Sequence, residues 1–434
     1  MPRAKSLASL RIHLLLRGAL PWLLLGLLQI SATFAEAVTA SAPDDDDSAA
    51  LSLAGTGSAA AAKSGSLVVE AAFTEAQLPS GYESEERLSL DYRDDVVLGT
   101  GWHGVVADRL DLDWQNGGQQ INTVKEAYLN WQPLSDLLVD AGRVNARQGV
   151  ALGYNPTDFF KADALRSVDS LDPDSLRDER LGTVMLRGET LWSSGAFTAV
   201  YAPRLTDASS NGPFSADWGA TNHQNRWLLA LSQRLGSVFT PQWLLFGQQG
   251  QAPQAGVNLT SVLGQATVVF LEASGGRMPS LWATSLDLPG SESPRGRASA
   301  GLTYSTANKL SWSLEYEYDG AALSRAAWNA ARQGDPESYG RYRNYVTDQQ
   351  ELPTQHNVFA YASWQDFLTK HMDLSAFVRI DLVDHSRLPW TELRYHWSHI
   401  DAAMRWQDYL GGSTSDYGAS PSRQTWQVLV DYYL

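Results

Sequence analysis

The chain has 434 residues, with 33 Lys and Arg against 48 Asp and Glu, no cysteine, 16 Trp and 17 Tyr. So acidic a balance excludes nucleic acid as a partner, because phosphate binding needs a basic face. The lack of cysteine excludes disulfides and thiolate metal centres, so packing and hydrogen bonding must hold the fold together.

The N-terminus has the layout of a secretory signal. Arg3, Lys5, Arg11 and Arg17 precede the apolar run Ala19 to Ile30, and small residues follow around Ala32 to Ala37. That run is short of the roughly 20 apolar residues of a membrane helix. Ala35-Glu36-Ala37 is an A-x-A cleavage pattern, so residues 1–37 are expected to be a signal peptide removed during Sec-type export. Its removal leaves 29 Lys and Arg against 47 Asp and Glu, a net charge of −18. Residues 38–66 are Ala, Ser, Gly and Asp with little to bury, and read as a disordered tail in which Asp44 to Asp47 are solvated.

From residue 67 to 434 the dominant signal has period two, and no stretch has the 18 apolar residues of a membrane helix. In 309–319, Leu310, Trp312, Leu314, Tyr316 and Tyr318 share one face, and Ser311, Ser313, Glu315, Glu317 and Asp319 the other. In 372–383, Met372, Leu374, Ala376, Val378, Ile380 and Leu382 oppose Asp373, Ser375, Arg379 and Asp381. Ile400, Ala402, Met404 and Trp406 oppose Asp401, Arg405 and Gln407, and Leu110, Leu112 and Trp114 oppose Arg109, Asp111 and Asp113. Segments of about 9–13 residues are long enough to cross a bilayer at a tilt. Trp114, Trp131, Trp192, Trp312, Trp364, Trp397, Trp406 and Tyr409 near their ends resemble the aromatic girdles of membrane barrels. The expected fold is an all-β, transmembrane, antiparallel up-and-down β-barrel facing lipid and, on its outer side, lipopolysaccharide.

Counting strands gives eighteen, or sixteen if the weak pair at 67–78 and 86–98 is not formed. The short links at 132–137, 192–195, 236–239, 263–265, 305–309 and 398–399 fall on one side of the count, the periplasmic one. The long ones at 148–181, 206–224, 275–296, 320–355 and 411–424 fall on the other, extracellular side.

The last ten residues, TWQVLVDYYL, place Trp426, Val428, Val430, Tyr432 and Leu434 on one apolar face. This resembles the C-terminal signal by which the outer-membrane assembly machinery recognises barrels, although Leu434 stands where Phe or Trp is usual. Gly142-Arg143-Val144-Asn145-Ala146-Arg147 followed by Asn155-Pro156-Thr157-Asp158-Phe159-Phe160 is similar to segments of porin-like and alginate-export-like outer-membrane barrels. The resemblance implies a Gram-negative outer-membrane location and a transport role, and names no substrate.

A barrel of 16 to 18 strands leaves an aqueous lumen unless something plugs it. The inferred lumen charges are Arg109, Asp111 and Asp113; Arg187 and Glu189; Glu315, Glu317 and Asp319; Arg379 and Asp381; Glu392 and Arg394; and Arg405. Such rows of both signs filter polar solutes or pair across strands. The loop 148–181 carries Tyr154, Phe159, Phe160, Leu165 and Leu171, which favour burial, and Asp172-Pro173, which begins a short helix over 173–180. This loop is expected to fold into the channel and constrict it with Asp158, Lys161 and Arg166 against Arg143 and Arg147 on the preceding strand. The loop 320–355 is its rival for that role.

Catalysis has little support. His396 and His399, three apart on a strand, point to opposite faces. His103, His223, His356, His371 and His385 lie near strand ends or loops, and no G-x-S-x-G, H-E-x-x-H or P-loop occurs. No cofactor or metal is expected. The function indicated is a passive channel for small polar or anionic solutes; the alternative is an export conduit for polysaccharide or a hydrophobic molecule handed over by periplasmic partners. No feature assigns an oligomeric state.

Overall fold

The computed structural model describes residues 65–113, 120–207, 209, 212, 214–236, 239–289 and 292–434. The signal-peptide expectation, the tail up to residue 64 and Trp114 lie outside the described residues. Eighteen strands follow in chain order: β1 (Ser66–Leu78), β2 (Gly81–Gly99), β3 (Trp102–Asp113), β4 (Gln120–Leu134), β5 (Leu137–Val144), β6 (Thr183–Trp192), β7 (Gly195–Ala202), β8 (Arg226–Gln233) and β9 (Gln242–Gln248). The second half comprises β10 (Gln254–Leu263), β11 (Thr267–Met278), β12 (Ser293–Ser305), β13 (Leu310–Asp319), β14 (His356–Trp364), β15 (Met372–Asp381), β16 (Arg387–His396), β17 (Ile400–Asp408) and β18 (Gln424–Tyr433). Each strand pairs antiparallel with its neighbours in sequence, and β18 pairs with β1 from Val68↔Tyr433 to Gln77↔Gln424, so the sheet closes on itself. Closure leaves no open edge, the condition for crossing lipid with strands.

The two ends of the barrel differ as the spacing predicts. One carries the links 100–101, 135–136, 193–194, 234–241, 264–266, 306–309, 365–371 and 397–399; the other carries 145–182, 203–225, 279–292, 320–355 and 409–423. Among the described residues, three links on the loop end are short as well, 79–80, 249–253 and 382–386. The first of these arises because β2 begins at Gly81 rather than near residue 86, pairing Leu78↔Gly81.

Alternation sets the faces. On β13 the side chains of Trp312, Leu314 and Tyr316 are exposed on the outer surface, whereas Ser313, Glu315 and Glu317 are buried inside. Aromatic pairs mark both rims of the outer surface. Trp102 stacks on Trp131 at 5.4 Å, and Tyr304 meets Trp312 at 6.0 Å, near the short-turn end. Trp406 meets Trp426 at 6.2 Å near the loop end. A charge at Leu314 is therefore expected to cost about 2–4 kcal/mol near the midplane. Ser313 is not the neutral counterpart that alternation alone makes it, because its hydroxyl lies 2.7 Å from that of Thr303 and is buried. Ser311, on the same inner row, is the better control because it is only half-buried, although its hydroxyl lies 3.0 Å from that of Ser305. Leu314→Arg should fold poorly into lipid vesicles while Ser311→Arg folds like wild type; equal yields would invert the assigned faces.

Strands β7 to β9 depart from alternation. Val200, Ala202, Leu228, Ala230, Leu244 and Phe246 are buried on the inner side, while Tyr201, Leu229, Leu231, Trp243 and Leu245 are exposed on the outer one. Runs such as Trp227-Leu228-Leu229-Ala230-Leu231 are apolar on both faces because this part of the inner wall is covered by protein rather than water.

Candidate functional site

The segment 145–182 between β5 and β6 turns back into the barrel. Its base is locked by Arg180, which is almost fully buried. The Arg180 guanidinium donates to Asp158 Oδ2 at 2.7 Å, to Asn145 Oδ1 at 2.8 Å and to the Ala146 carbonyl at 2.7 Å. One cation thus ties the start, middle and end of the loop. Removing Asp158 alone would strand a buried charge, typically a loss of about 3–5 kcal/mol.

From that base a strap, 149–153, runs along the far inner wall with its backbone N–H groups aimed at two carboxylates. Val150 and Ala151 donate to Glu272 on β11, the second at 2.7 Å. Leu152 and Gly153 donate to Glu315 on β13 at 2.7 and 2.8 Å. Arg379 on β15 donates to the Gly153 carbonyl at 2.8 Å and lies over the rings of Phe359 and Phe377. The approach is so close that a Cβ on Gly153 would lie 2.0 Å from Glu317 Oε1 and 2.7 Å from Phe359 Cβ. Gly149, at φ +76°, faces Glu272 in the same way. Gly153→Val should therefore undock the strap at a cost of about 1–3 kcal/mol and leave the barrel intact. Faster tryptic cleavage at Lys161 and Arg166 with unchanged heat-modifiable migration is the expected readout.

Apolar contacts explain why the loop enters at all. Phe159 stacks on Phe246 of β9 at 4.5 Å, Phe160 meets the same ring edge-on, and both cover the apolar inner wall of β7–β9. Leu152 and Leu171 pack on a second inner patch, formed by Phe359, Tyr361, Phe377, Leu388 and Trp390 of β14–β16. The loop so bridges two sectors of the lumen, and each buried Phe or Leu contributes about 1.5–3 kcal/mol. The expected helix is present as α1 (Pro173–Asp178), with Asp172 accepting from the N–H groups of Asp174 and Ser175.

The tip, 167–171, meets the opposite wall. There Glu70 on β1 accepts from Arg87 on β2 at 2.7 Å and from Arg109 on β3 at 2.9 Å, and Asp111 accepts from Arg109 Nε at 2.9 Å. The Asp169 carboxylate inserts between Arg87, at 2.6 Å, and Arg109. Arg405 on β17 donates to the Asp169 carbonyl at 3.0 Å and to Gln427 on β18 at 2.9 Å, and pairs with Glu392 on β16. Burial pushes the Asp169 carboxylate up to about 6 against the pull of Arg109 and Arg87, with Asp111 and Glu70 adding to the push. Beside this tip lies a cavity of about 360 Å³ lined by Arg87, Asp111, Asp169, Trp390, Arg405 and Gln427 among others.

The second long loop closes over the first. It carries α3 (Arg325–Ala331) and α4 (Pro336–Asp348), and with α2 (Leu281–Ser285) it builds its own core around Trp328, Tyr342, Val346 and Leu281. Glu351 accepts from Tyr154 Oη at 2.6 Å and pairs with Lys161 and with Arg297 of β12, both at 3.4 Å. Although burial works to raise it, Arg297 and Lys161 hold the Glu351 carboxylate below its ordinary range; burial pushes the Lys161 ammonium down. The two loops thus hold one another through Glu351 and Asp348.

The charges singled out from the sequence are spread over several places. Glu315, Glu317 and Arg379 line the strap, Lys161 reaches the Asn155 carbonyl and Glu351, and Arg405 with Arg394 stands on the tip side, Arg394 reaching Glu392 and Asp431. Arg143 and Arg166 hold the 203–225 loop: Arg143, which also donates to the Val124 carbonyl of β4, donates to the Ala216 and Asp217 carbonyls, and Arg166 to Gly212 and Asp217. Arg147 pairs with Asp178, Arg187 with Asp140, and Asp381 accepts from Thr354 and Val383 at the end of β15. Glu189 shares the inner row of β6 with Arg187. The outer face of β18 carries Trp426, Val428 and Val430, all exposed, while the Tyr432–Leu434 end pairs with β1. Arg87, Glu70, Glu272 and the pairing role of Arg180 escaped the sequence reading. The signal for Glu272 was present, a single carboxylate in the apolar run Thr267 to Ala273.

No family model matches the chain, and no curated protein matches it. The solved structures it resembles include OccK2 (OpdF) of Pseudomonas aeruginosa, with 12% identity, a TM-score of 0.53, and 85% of this chain and 96% of that one covered. OccAB1 of Acinetobacter baumannii gives 10%, 0.52, 85% and 96%, and OccK8 (OprE) of Pseudomonas aeruginosa 11%, 0.51, 86% and 98%. What is shared at such identity is the architecture, and the chain has the closed 18-stranded antiparallel fold of the porin-like barrels of the Gram-negative outer membrane.

Proposed function

We propose that the protein is a diffusion channel of the outer membrane for small polar or anionic solutes. The observation that carries this reading is the loop 145–182, tied across the lumen so that it narrows an 18-stranded barrel and leaves a cavity walled by charged groups. A barrel of this size without such a loop is a wide aqueous pore, and a charged constriction gives it selectivity. One solved structure of OccK2, 13% identical, is a complex with glucuronate, which supports a small anionic solute here. Export of polysaccharide fits less well, since the loop 145–182 is tied across the lumen and held by the second loop. Removal of residues 1–37, Sec-type export and delivery by the assembly machinery belong to the same proposal. Single-channel recording in a salt gradient tests it. Ohmic openings with a reversal potential displaced from zero are expected; a protein that inserts but never conducts, even with the loop removed, overturns the reading.

A further inference from the structure

The anchors of the inward loop are unequal. At the base, Arg180 and Asp158 are both buried and make a two-point pair, and along the strap four N–H groups meet two carboxylates. The tip differs. Ser167 to Leu171 make their polar contacts with the β1–β3 and β17 wall through one residue, Asp169, while Leu171 packs on the β14–β16 patch and Val168 is half exposed.

The wall that receives Asp169 is already matched without it. Glu70 serves Arg87 and Arg109, Asp111 serves Arg109, and Glu392 serves Arg405. Asp169 is an added carboxylate in a set whose cations have partners, and both of its oxygens are buried without a well-aligned hydrogen bond. Burial drives its carboxylate toward the neutral form, as an added negative charge requires. When the tip leaves, the arginines keep Glu70, Asp111 and Glu392, so departure strands no cation. The same step joins the 360 Å³ cavity beside residues 167–171 to the space they occupied.

We propose that Ser167 to Leu171 form a latch across the lumen, and that Asp169, seated among Arg87, Arg109 and Arg405, sets both the closed position of the latch and the charge preference of the passage beside it. The inference rests on the channel reading. With Asp169 seated, the wall arginines are screened and the route is narrow. With it absent, the route is wider and less negative.

The test compares wild type, Asp169→Asn and Asp169→Glu in planar bilayers with a potassium chloride gradient. Each is also made with Ser170→Cys, the only thiol in a chain without cysteine. Asp169→Asn should raise single-channel conductance severalfold, move the reversal potential toward chloride, and speed labelling of Cys at 170 by a membrane-impermeant thiol reagent about tenfold. Asp169→Glu should return all three toward wild type. Should Asp169→Asn fail to insert, a Gly/Ser replacement of 167–171 is read in the same way. Conductance, reversal potential and labelling all unchanged overturn the latch. If the variant with 155–178 removed conducts while Asp169→Asn equals wild type, the latch alone is wrong; if neither conducts, the channel reading has failed.

Discussion

Replacing residues 155–178 by a short Gly/Ser link should raise single-channel conductance severalfold and weaken ion selectivity while the barrel still folds. The segment contributes Phe159 and Phe160 against β7–β9, Leu171 against β14–β16, and Asp169 against β2 and β3. None of the strand pairings that close the sheet involves it. Its removal strips Arg180 of Asp158, so the replacement should carry Arg180→Gln to avoid a buried unpaired charge, otherwise a loss of about 3–5 kcal/mol. The second loop serves as control. Because Glu351 and Asp348 hold Tyr154, Lys161 and Asp163, deleting 322–350 should loosen the first loop without releasing it. The strap remains bonded to Glu272 and Glu315 in that variant. Conductance that rises only on deletion of 322–350 would place the constriction in the other loop.

The barrel was legible because a lipid-facing strand must alternate, and few residues escape that rule. Strand β13 shows the strict case, with Trp312, Leu314 and Tyr316 outward against Ser313, Glu315 and Glu317 inward. The alternation weakened where another part of the chain replaced water inside. Leu228 and Leu244 face inward because Phe159 and Phe160 cover that wall, and no local pattern on β8 or β9 announces a partner about 70 or more residues earlier. The helix after Asp172-Pro173 was legible for the opposite reason, since capping is a local matter.

The charges divide along the same line. That Arg143, Asp158 and Arg405 point inward follows from the strand period or from the loop's need for burial, but their partners come from the three-dimensional closure. Arg143 donates to the carbonyls of 216 and 217, so it fixes a loop. Asp158 finds Arg180, 22 residues on. Glu272 became an anchor only because the strap presents N–H groups to it, a contact between segments 121 residues apart.

Truncation before Tyr432 should abolish assembly into the outer membrane, the largest loss expected from any small change. Residues 432–434 supply the pairs Val69↔Tyr432, Val68↔Tyr433 and Ile400↔Tyr432 at the seam where the last strand meets the first. Tyr433 N–H donates to the His399 carbonyl at 2.9 Å, Leu434 N–H to the Leu67 carbonyl at 3.0 Å, and Tyr433 Oη to Asp401 at 2.8 Å. Without them β1 and β17 expose backbone groups at the short-turn rim. Each such group costs several kcal/mol where water is absent, and an edge is left open to wrong pairing. Closure and recognition by the assembly machinery make different predictions. If closure dominates, the truncated chain should fail to reach the heat-modifiable form both in cells and on refolding into lipid vesicles. If recognition dominates, it should fail in cells and refold in vesicles, and Leu434→Ala, which keeps the backbone pairs, should reproduce the cellular defect. Leu434→Phe, which restores the usual terminal aromatic, should then assemble at least as well as wild type. Normal heat-modifiable migration of the truncated protein in outer membranes would exclude both roles for these residues.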